Sequence, residues 1–102
     1  MQLDKLQIEY VKFIDTYETS FARVDKYKNF RIIACTSESC RLYVQWSCDG
    51  HEVCLDNSII LPKNKWASDK LEVAANYCRI KVICDQPQVV VDRLIVNVIG
   101  RK

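Results

Sequence analysis

The side chains with the most reactive chemistry in this 102-residue chain are six cysteines and one histidine. The cysteines fall into three pairs, spaced as Cys35-x4-Cys40, Cys48-x5-Cys54 and Cys78-x5-Cys84. None of these spacings is the Cys-x2-Cys arrangement that lets two thiolates from a tight turn bind one tetrahedral zinc ion. The spacing therefore predicts no metal site, and no other motif indicates a bound cofactor.

The redox state of the thiols is open from sequence alone. An even number of cysteines is compatible with three disulfides, for which about 15 connectivities exist. No secretory signal is visible, so we expect free thiols, because cytosolic cysteines stay reduced and pack as small hydrophobic residues. Four cysteines are predicted on inward strand faces: Cys40, Cys48, Cys78 and Cys84. Cys78 and Cys84 share one predicted strand at a separation of roughly 20 Å, so they cannot bridge each other.

His51 lies at a predicted hairpin tip beside Asp49 and Glu52, close in sequence to Cys48 and Cys54. A catalytic nucleophile needs a thiol or hydroxyl held by the imidazole and a third group that orients the imidazole. No family signature surrounds these residues, and glycines only at positions 50 and 100 exclude a glycine-rich phosphate loop. We expect no enzyme here, with a thiol hydrolase around Cys48 or Cys54 as the distant alternative.

The elements that position these residues are organised around Cys40–Asp56. From Cys40 to Cys48, apolar and polar residues alternate strictly, which is typical of a strand with one buried face. Asp49-Gly50 follows, and a second run resumes at Val53. An Asp-Gly pair between two such runs predicts a hairpin with a type I′ turn, in which both turn residues have positive φ. We expect strand structure over His51–Leu55, a break at Asp56–Ser58 and a short apolar run over Ser58–Leu61.

Two neighbouring runs alternate in the same way. Phe30–Thr36 is predicted to form a hairpin with the strand that begins at Cys40. The favoured register sets the inward residues of these two strands opposite each other: Thr36 with Cys40, Ala34 with Leu42, Ile32 with Val44 and Phe30 with Trp46. Tyr77–Cys84 is the clearest partner of the central strand, with Cys78, Ile80, Val82 and Cys84 inward.

The remaining segments are consistent with further short strands. Val89–Ile99 closes the chain, with its inward residues predicted at Val90, Leu94, Val96 and Val98. Residues 3–17 fit a helical stripe as well as a strand, and β-branched and aromatic residues favour a strand over Lys5–Ile14. Seven or eight short antiparallel strands in one domain, residues 1–102, predict an all-β protein with a single, jelly-roll-like β-sandwich.

The composition excludes several function classes. A net charge of +2 and a pI near 8.2, with scattered Lys and Arg, do not indicate nucleic-acid binding. No apolar run approaches the roughly 20 residues of a membrane helix, and Met1–Lys5 opens polar without a signal-peptide core. We therefore expect a soluble protein made in a reducing compartment, with no membrane insertion.

Outward-facing apolar and aromatic residues are the strongest candidates for binding. Exposed aromatic side chains on a strand face are typical of an interface, and outward isoleucines indicate that something covers the face. An exposed tryptophan is also able to contact a sugar. The candidate interface residues are Ile33, Tyr43, Trp66, Tyr77, Arg79 and Ile83.

A resemblance to a known group of proteins emerges from three stretches: Cys40 to Gly50 (CRLYVQWSCDG), Trp66-Ala67-Ser68, and Ala75 to Val82 (ANYCRIKV). The chain resembles small β-sandwich modules in virion proteins of phages and large double-stranded DNA viruses, over roughly residues 19–84. In those modules a strand ending in S-x-D-G opens a hairpin, and a Y-x-R-x-x-V strand returns beside it. Ser47, Asp49 and Gly50 match the turn, and Tyr77 and Arg79 match the returning strand.

The resemblance implies a structural subunit of a virus particle. The cysteines and the lack of a long fibre-forming extension depart from the phage pattern, which favours a compact shell component over a tail fibre. A minor capsid or decoration subunit that binds other protein subunits, as a homo-oligomer or against capsid proteins, is the expected function. The alternative is a carbohydrate- or receptor-binding module, since discoidin-like and other sugar-binding sandwiches share this general pattern; Trp66 and Tyr43 are then the stacking platforms.

Overall fold

Strands account for almost all the regular structure of the computed structural model, which describes residues 1–102. A single 3₁₀ turn, Asp4–Leu6, precedes nine strands: β1 Ile8–Ile14, β2 Thr16–Glu18, β3 Ala22–Arg23, β4 Asn29–Thr36, β5 Cys40–Ser47, β6 Leu55–Leu61, β7 Ala67–Glu72, β8 Tyr77–Cys84 and β9 Val90–Arg101. The strand favoured over Lys5–Ile14 is thus confirmed from Ile8 onwards, and the helical alternative for residues 3–17 is wrong apart from the one 3₁₀ turn.

The strands form two antiparallel sheets that face each other. Sheet I has the order β1-β9-β4-β7, and sheet II has the order β2-β8-β5-β6, with β3 also paired to β8. Because β2 and β3 follow one another along the same edge of β8, they share one position in the sheet. The resulting eight positions, with most successive strands crossing between the sheets and β5 and β6 forming a hairpin within sheet II, are the topology of a jelly roll. The predicted jelly-roll-like β-sandwich is confirmed, with nine strands instead of seven or eight.

The core lies between the sheets and contains 23 buried residues. Its centre is formed by the inward side chains of β5 and β8, which pair directly in register. All eight of these side chains are buried, as alternation predicted: Cys40, Leu42, Val44, Trp46, Cys78, Ile80, Val82 and Cys84. The predicted pairing of β5 with β8 is therefore confirmed.

The predicted hairpin between β4 and β5 is wrong. β4 pairs with β7 and β9 in sheet I, whereas β5 pairs with β6 and β8 in sheet II. The residues expected to meet do so across the sandwich: the Phe30 and Trp46 rings stack with centroids 5.7 Å apart and planes inclined by 12°. Alternation shows which face of a strand is buried, but it does not distinguish a neighbour in the same sheet from one in the facing sheet.

The hairpin of β5 and β6 is confirmed, but its turn differs from the prediction. The connection spans residues 48–54, and only Gly50, with φ of 82°, has positive φ; Asp49 does not. A two-residue type I′ turn is therefore excluded. The strand expected over His51–Leu55 is mostly loop, and the break expected at Asp56–Ser58 lies inside β6.

The inward pattern of β9 is shifted at its start. Val91 is buried and Val90 is 42% exposed, so the prediction for Val90 is wrong, while Leu94, Val96 and Val98 are buried as expected. Between the pairs Val11↔Leu94 and Phe13↔Val91, β9 contains one residue more than β1. This bulge reverses the alternation of the residues beyond it.

Candidate interaction surface

Four of the six candidate interface residues lie on the outer face of sheet II. Tyr43 projects from β5, and Tyr77, Arg79 and Ile83 project from β8 on the same side. They share a face because residues directly opposite in an antiparallel pair point the same way. We call this surface the Tyr–Arg face; it also includes Glu18, Phe21, Arg23, Arg41, Gln45, Ile60 and Lys81.

Arg79 contacts three other side chains of the Tyr–Arg face. Its Nε donates a 2.8 Å hydrogen bond to Oε1 of Gln45. Its guanidinium group also lies 3.7 Å from a carboxylate oxygen of Glu18 and 4.7 Å from the centroid of the Phe21 ring. Partners on three strands or their connections thus hold one cation at the surface, which lowers the entropy lost when a ligand binds it.

A second arginine–aromatic pair lies at the β3 end of the face. The Arg23 guanidinium carbon lies 5.9 Å from the centroid of the Tyr77 ring. Arg23 also donates to the Asp25 carboxylate at 3.2 Å; this hydrogen bond raises the pKa of Arg23 and lowers the pKa of Asp25. Both side chains are exposed, so this ion pair orients the arginine and adds little stability.

The other end of the face is more apolar, and sequence analysis missed part of it. Arg41 is directly opposite Ile83 on one side and Ile60 on the other. Ile60 is 65% exposed and Ile83 is 37% exposed. The run Ser58–Leu61 indicated only apolar character; pairing with β5 was needed to place Ile60 outward and Ile59 and Leu61 inward. Arg41 was visible as an outward residue of the central strand.

The two remaining candidates lie elsewhere. Ile33 is a half-buried residue on the outer face of sheet I, between Ser68 of β7 and Asn97 of β9. Trp66 ends the loop between β6 and β7 and is 60% exposed. The structure therefore brings together Tyr43, Tyr77, Arg79 and Ile83, but not Ile33 or Trp66.

The Tyr–Arg face is broad rather than concave. Four strand positions at about 4.8 Å and eight residues at about 3.4 Å give an area of about 500 Å². The largest depression, about 570 Å³, has no residue of the face in its lining. It is lined by Asp25, Tyr27, Lys28, Asn29, Glu72, Val73, Ala74, Ala75 and Asn76. A surface of this shape suits a protein partner better than an enclosed small molecule.

The loop between β5 and β6 borders the face and is held by Asp49. Oδ1 of Asp49 accepts hydrogen bonds from the Ser47 hydroxyl and from the backbone N–H groups of His51 and Glu52, at 2.8 to 3.0 Å. These donors lower the pKa of Asp49 to about 2. A Cβ placed on Gly50 would lie 3.3 Å from ring carbons of Tyr77, so the tip of the loop packs on that ring.

The reactive side chains separate into two environments. Cys35, Cys40, Cys78 and Cys84 are buried, and Cys48 and Cys54 are exposed. Burial raises the pKa of Cys78 to about 12 and the pKa of Cys40 to about 11. The inward position predicted for Cys48 is therefore wrong, because the strand ends at Ser47. Cys35 lies on the outward side of β4, separate from the core cluster.

No hydrogen bond links the His51 imidazole to a thiol or a carboxylate; only its backbone N–H is bonded, to Asp49. No three side chains of His, Cys, Asp or Glu lie close enough together to hold a metal ion. The chain also has no helix with the length and hydrophobicity needed to cross a bilayer.

Comparison with solved structures supports the fold. The PBSX exported protein XepA aligns over 94% of this chain with a TM-score of 0.70 and 7% sequence identity. At this identity the similarity shows the fold alone, and the chain spans 37% of the length of XepA. No protein-family model and no curated protein matches the sequence.

Two carbohydrate-binding structures align more weakly. A CBM4 structure gives a TM-score of 0.44 at 9% identity, covering 84% of this chain and 61% of the other. The CBM36-1 domain of a multidomain xylanase from the hindgut metagenome of Trinervitermes trinervoides gives 0.38 at 15% identity, covering 95% and 77%. These two scores are too low to establish a common fold. The chain is thus a small β-sandwich module, similar in fold to part of XepA.

Proposed function

We propose that this β-sandwich is a non-enzymatic structural module that binds other protein subunits through the Tyr–Arg face, as a minor capsid or decoration subunit of a virus particle. The observation that carries this proposal is the arrangement of Tyr43, Tyr77, Arg79 and Ile83 on one outer sheet face. Tyrosine and arginine are among the residues enriched where protein interfaces bind most strongly.

The fixed orientation of the Arg79 side chain adds a second argument. Arg79 is held by Gln45 and Glu18 and stacks on Phe21 before any partner arrives. An arginine that is already oriented loses less side-chain entropy on binding than a freely rotating one. The exposed Ile60 and Ile83 supply apolar area beside it. Oriented polar groups next to exposed apolar groups are typical of an interface in its unbound state.

The area of the face agrees with this interpretation. If two copies bury about 500 Å² each, the interface reaches about 1,000 Å² in total, the lower limit for specific association. The partner we expect first is a second copy of this chain, and a capsid protein is the partner expected in a particle. An interface of this small size predicts reversible, concentration-dependent association.

The virion assignment rests on the resemblance of Cys40–Gly50 and Ala75–Val82 to virion modules, and it is supported by the fold similarity to XepA, a protein of phage PBSX. As a virion component, the protein is proposed to assemble in the host cytoplasm. The PBSX protein is described only as exported, so its own name assigns it no place in a particle.

The test is sedimentation velocity on matched variants across a concentration series. Ile83→Glu puts a carboxylate on the Tyr–Arg face opposite the Arg41 side chain. Ile33→Glu makes the same change on the outer face of sheet I. We expect Ile83→Glu to weaken self-association at least about tenfold, as loss of one strong interface contact does, and Ile33→Glu to leave it unchanged. The opposite ranking of the two variants would contradict the proposal.

A carbohydrate-binding module is the second candidate, and the exposure of Trp66 favours it. Trp46 is fully buried and Trp66 is 60% exposed, so a shift in tryptophan emission on adding a glycan would report on Trp66. A saturable shift that disappears in Trp66→Ala would favour this function. An unchanged spectrum across a panel of glycans would exclude Trp66 as a sugar platform.

A further inference from the structure

Two exposed thiols lie next to each other at the tip of the β5–β6 hairpin. Sγ of Cys48 and Sγ of Cys54 are 3.7 Å apart, within hydrogen-bond distance of sulfur. Both residues are exposed, whereas the other four cysteines are buried. A disulfide requires a sulfur–sulfur distance of about 2.05 Å, so the two sulfur atoms must move closer together to bond.

The hairpin holds both thiols in place. The backbone N–H of Cys54 donates to the carbonyl of Trp46 at 2.8 Å, and its thiol lies 3.4 Å from the same oxygen. Between the two cysteines, Asp49 fixes the backbone of His51 and Glu52. The proximity of the thiols therefore follows from an anchored loop, which gives each thiol a high effective concentration towards the other.

We propose that Cys48 and Cys54 form a redox-active dithiol that reacts with low-molecular-weight or protein disulfides to give a reversible intrachain disulfide. This is a modification site separate from the Tyr–Arg face, and it does not depend on the function of that face. The reaction needs only solvent access and the short sulfur–sulfur distance, both of which the hairpin provides.

The chemistry is thiol–disulfide exchange in two steps. One thiol of the pair loses its proton to solvent, and its thiolate attacks a sulfur of the external disulfide. A mixed disulfide forms and one external thiolate leaves. The second cysteine, deprotonated in turn, attacks the protein sulfur of the mixed disulfide, forms the Cys48–Cys54 bond and releases the second external thiolate. The protein dithiol is oxidised by two electrons, and the external disulfide is reduced to two thiols.

A competing pair exists in the core. Cys40 and Cys84 are directly opposite each other in the β5–β8 ladder and are 1% and 7% exposed. Both thiols are buried, so an external disulfide should reach them much more slowly than the exposed pair, since attack requires contact with the reagent. The structure therefore predicts selectivity for the exposed pair, with the core pair as an internal control.

The bond would act on the loop that packs against Tyr77. Gly50 lies between the two cysteines and rests on the Tyr77 ring. Closing the loop restricts the movement of this contact at the edge of the Tyr–Arg face. Oxidation therefore rigidifies the border of the face without changing its exposed residues.

To test this, the folded protein is incubated in buffers with a series of ratios of oxidised to reduced glutathione. The reaction is quenched with acid, the remaining thiols are alkylated, and the intact mass is measured. We expect the loss of two alkylatable thiols, no retained glutathione, and a peptide in which Cys48 is linked to Cys54. Cys48→Ser and Cys54→Ser should each instead retain one glutathione, because the second step has no thiol. Cys84→Ala should behave as the unsubstituted protein.

Kinetics give a measurement that needs no variant. In the reduced protein, two cysteines should be alkylated at least roughly 100-fold faster than the other four, because those four are buried and require local opening of the structure. Retention of all six thiols at high ratios of oxidised to reduced glutathione would overturn the proposal. So would a disulfide that maps to Cys40 and Cys84, or stable glutathionylation of the unsubstituted protein without ring closure.

Discussion

The stack of Phe30 on Trp46 joins the two sheets, and removing it should lower stability sharply. Phe30 is fully buried and also makes an edge-on contact with Tyr27, with ring centroids 6.3 Å apart. The substitution Phe30→Ala deletes the ring from β4 of sheet I and leaves Trp46 of sheet II facing a cavity. The perturbation therefore acts on packing between the sheets and not on hydrogen bonding within them.

The size of the effect follows from burial and stacking. Replacing a buried Phe by Ala costs about 3–5 kcal/mol, including the cavity left behind. A stacked aromatic pair contributes about 0.5–1.5 kcal/mol beyond its buried area. We expect Phe30→Ala to lower the free energy of unfolding by about 4 kcal/mol. At about 4–8 °C per kcal/mol, the melting temperature should fall by about 15 °C or more.

The assay is equilibrium urea denaturation followed by far-ultraviolet circular dichroism, with reductant present. Phe13→Ala is the matched control, since Phe13 is also buried but its ring is tilted by 47° towards Tyr17 instead of stacked. A double-mutant cycle of Phe30→Leu and Trp46→Leu should give a coupling energy of about 1 kcal/mol. A cost below about 2 kcal/mol for Phe30→Ala, or no coupling, would refute the packing of these rings across the sandwich.

Three further predictions concern local features. Gly100→Ala should cost about 1–3 kcal/mol by thermal denaturation, because the new Cβ would lie 2.6 Å from Cδ1 of Tyr27; a cost near zero would contradict this. The folded-state pKa of Cys78 is raised from 9.0 to about 12, so its contribution to stability is complete below pH 9 and is lost as the pH rises towards 12; Cys78→Ala should show a shallower alkaline decline in urea midpoint. The pKa of Asp49 is lowered from 3.8 to about 2, so its contribution is present above pH 3.8 and lost as the pH falls towards 2; Asp49→Asn should flatten that acid decline, and an unchanged slope would contradict the hydrogen bonds assigned to the carboxylate.

The buried faces of the long strands were predictable from the sequence. The alternation of apolar and polar residues in Cys40–Ser47 and Tyr77–Cys84 shows which side chains are buried, because successive side chains of a strand point to opposite faces. The matching alternation of the two runs also predicted that these strands pair, which the register of β5 and β8 in the structure confirms. The same alternation placed Tyr43, Tyr77, Arg79 and Ile83 outward.

Sheet membership was not predictable from alternation. Phe30 does meet Trp46 of β5, but from the facing sheet. A sequence pattern does not show whether two strands lie in the same sheet or in facing sheets. The short β2 and β3 have too few residues to show a period. The Asp-Gly pair predicted the hairpin correctly and its turn wrongly, because Asp49 uses its side chain to hold a longer loop.

The thiol pair was hidden for the same reason. Cys48 continues the inward series of β5 in the sequence, so it was placed in the core. The strand ends at Ser47, and the chain turns outward before it returns at Leu55. Only the three-dimensional path of the loop brings Cys48 to Cys54, which a spacing of six residues does not reveal.

The most direct test of the proposed function is the mass of the purified protein in solution, by multi-angle light scattering over a wide concentration range. With reductant present, we expect the weight-average mass to rise above 11.9 kDa as concentration increases. The rise should persist in oxidised glutathione, because the Cys48–Cys54 bond is formed within one chain. A mass that stays at that of one chain at every concentration, in both conditions, would contradict self-association through the Tyr–Arg face.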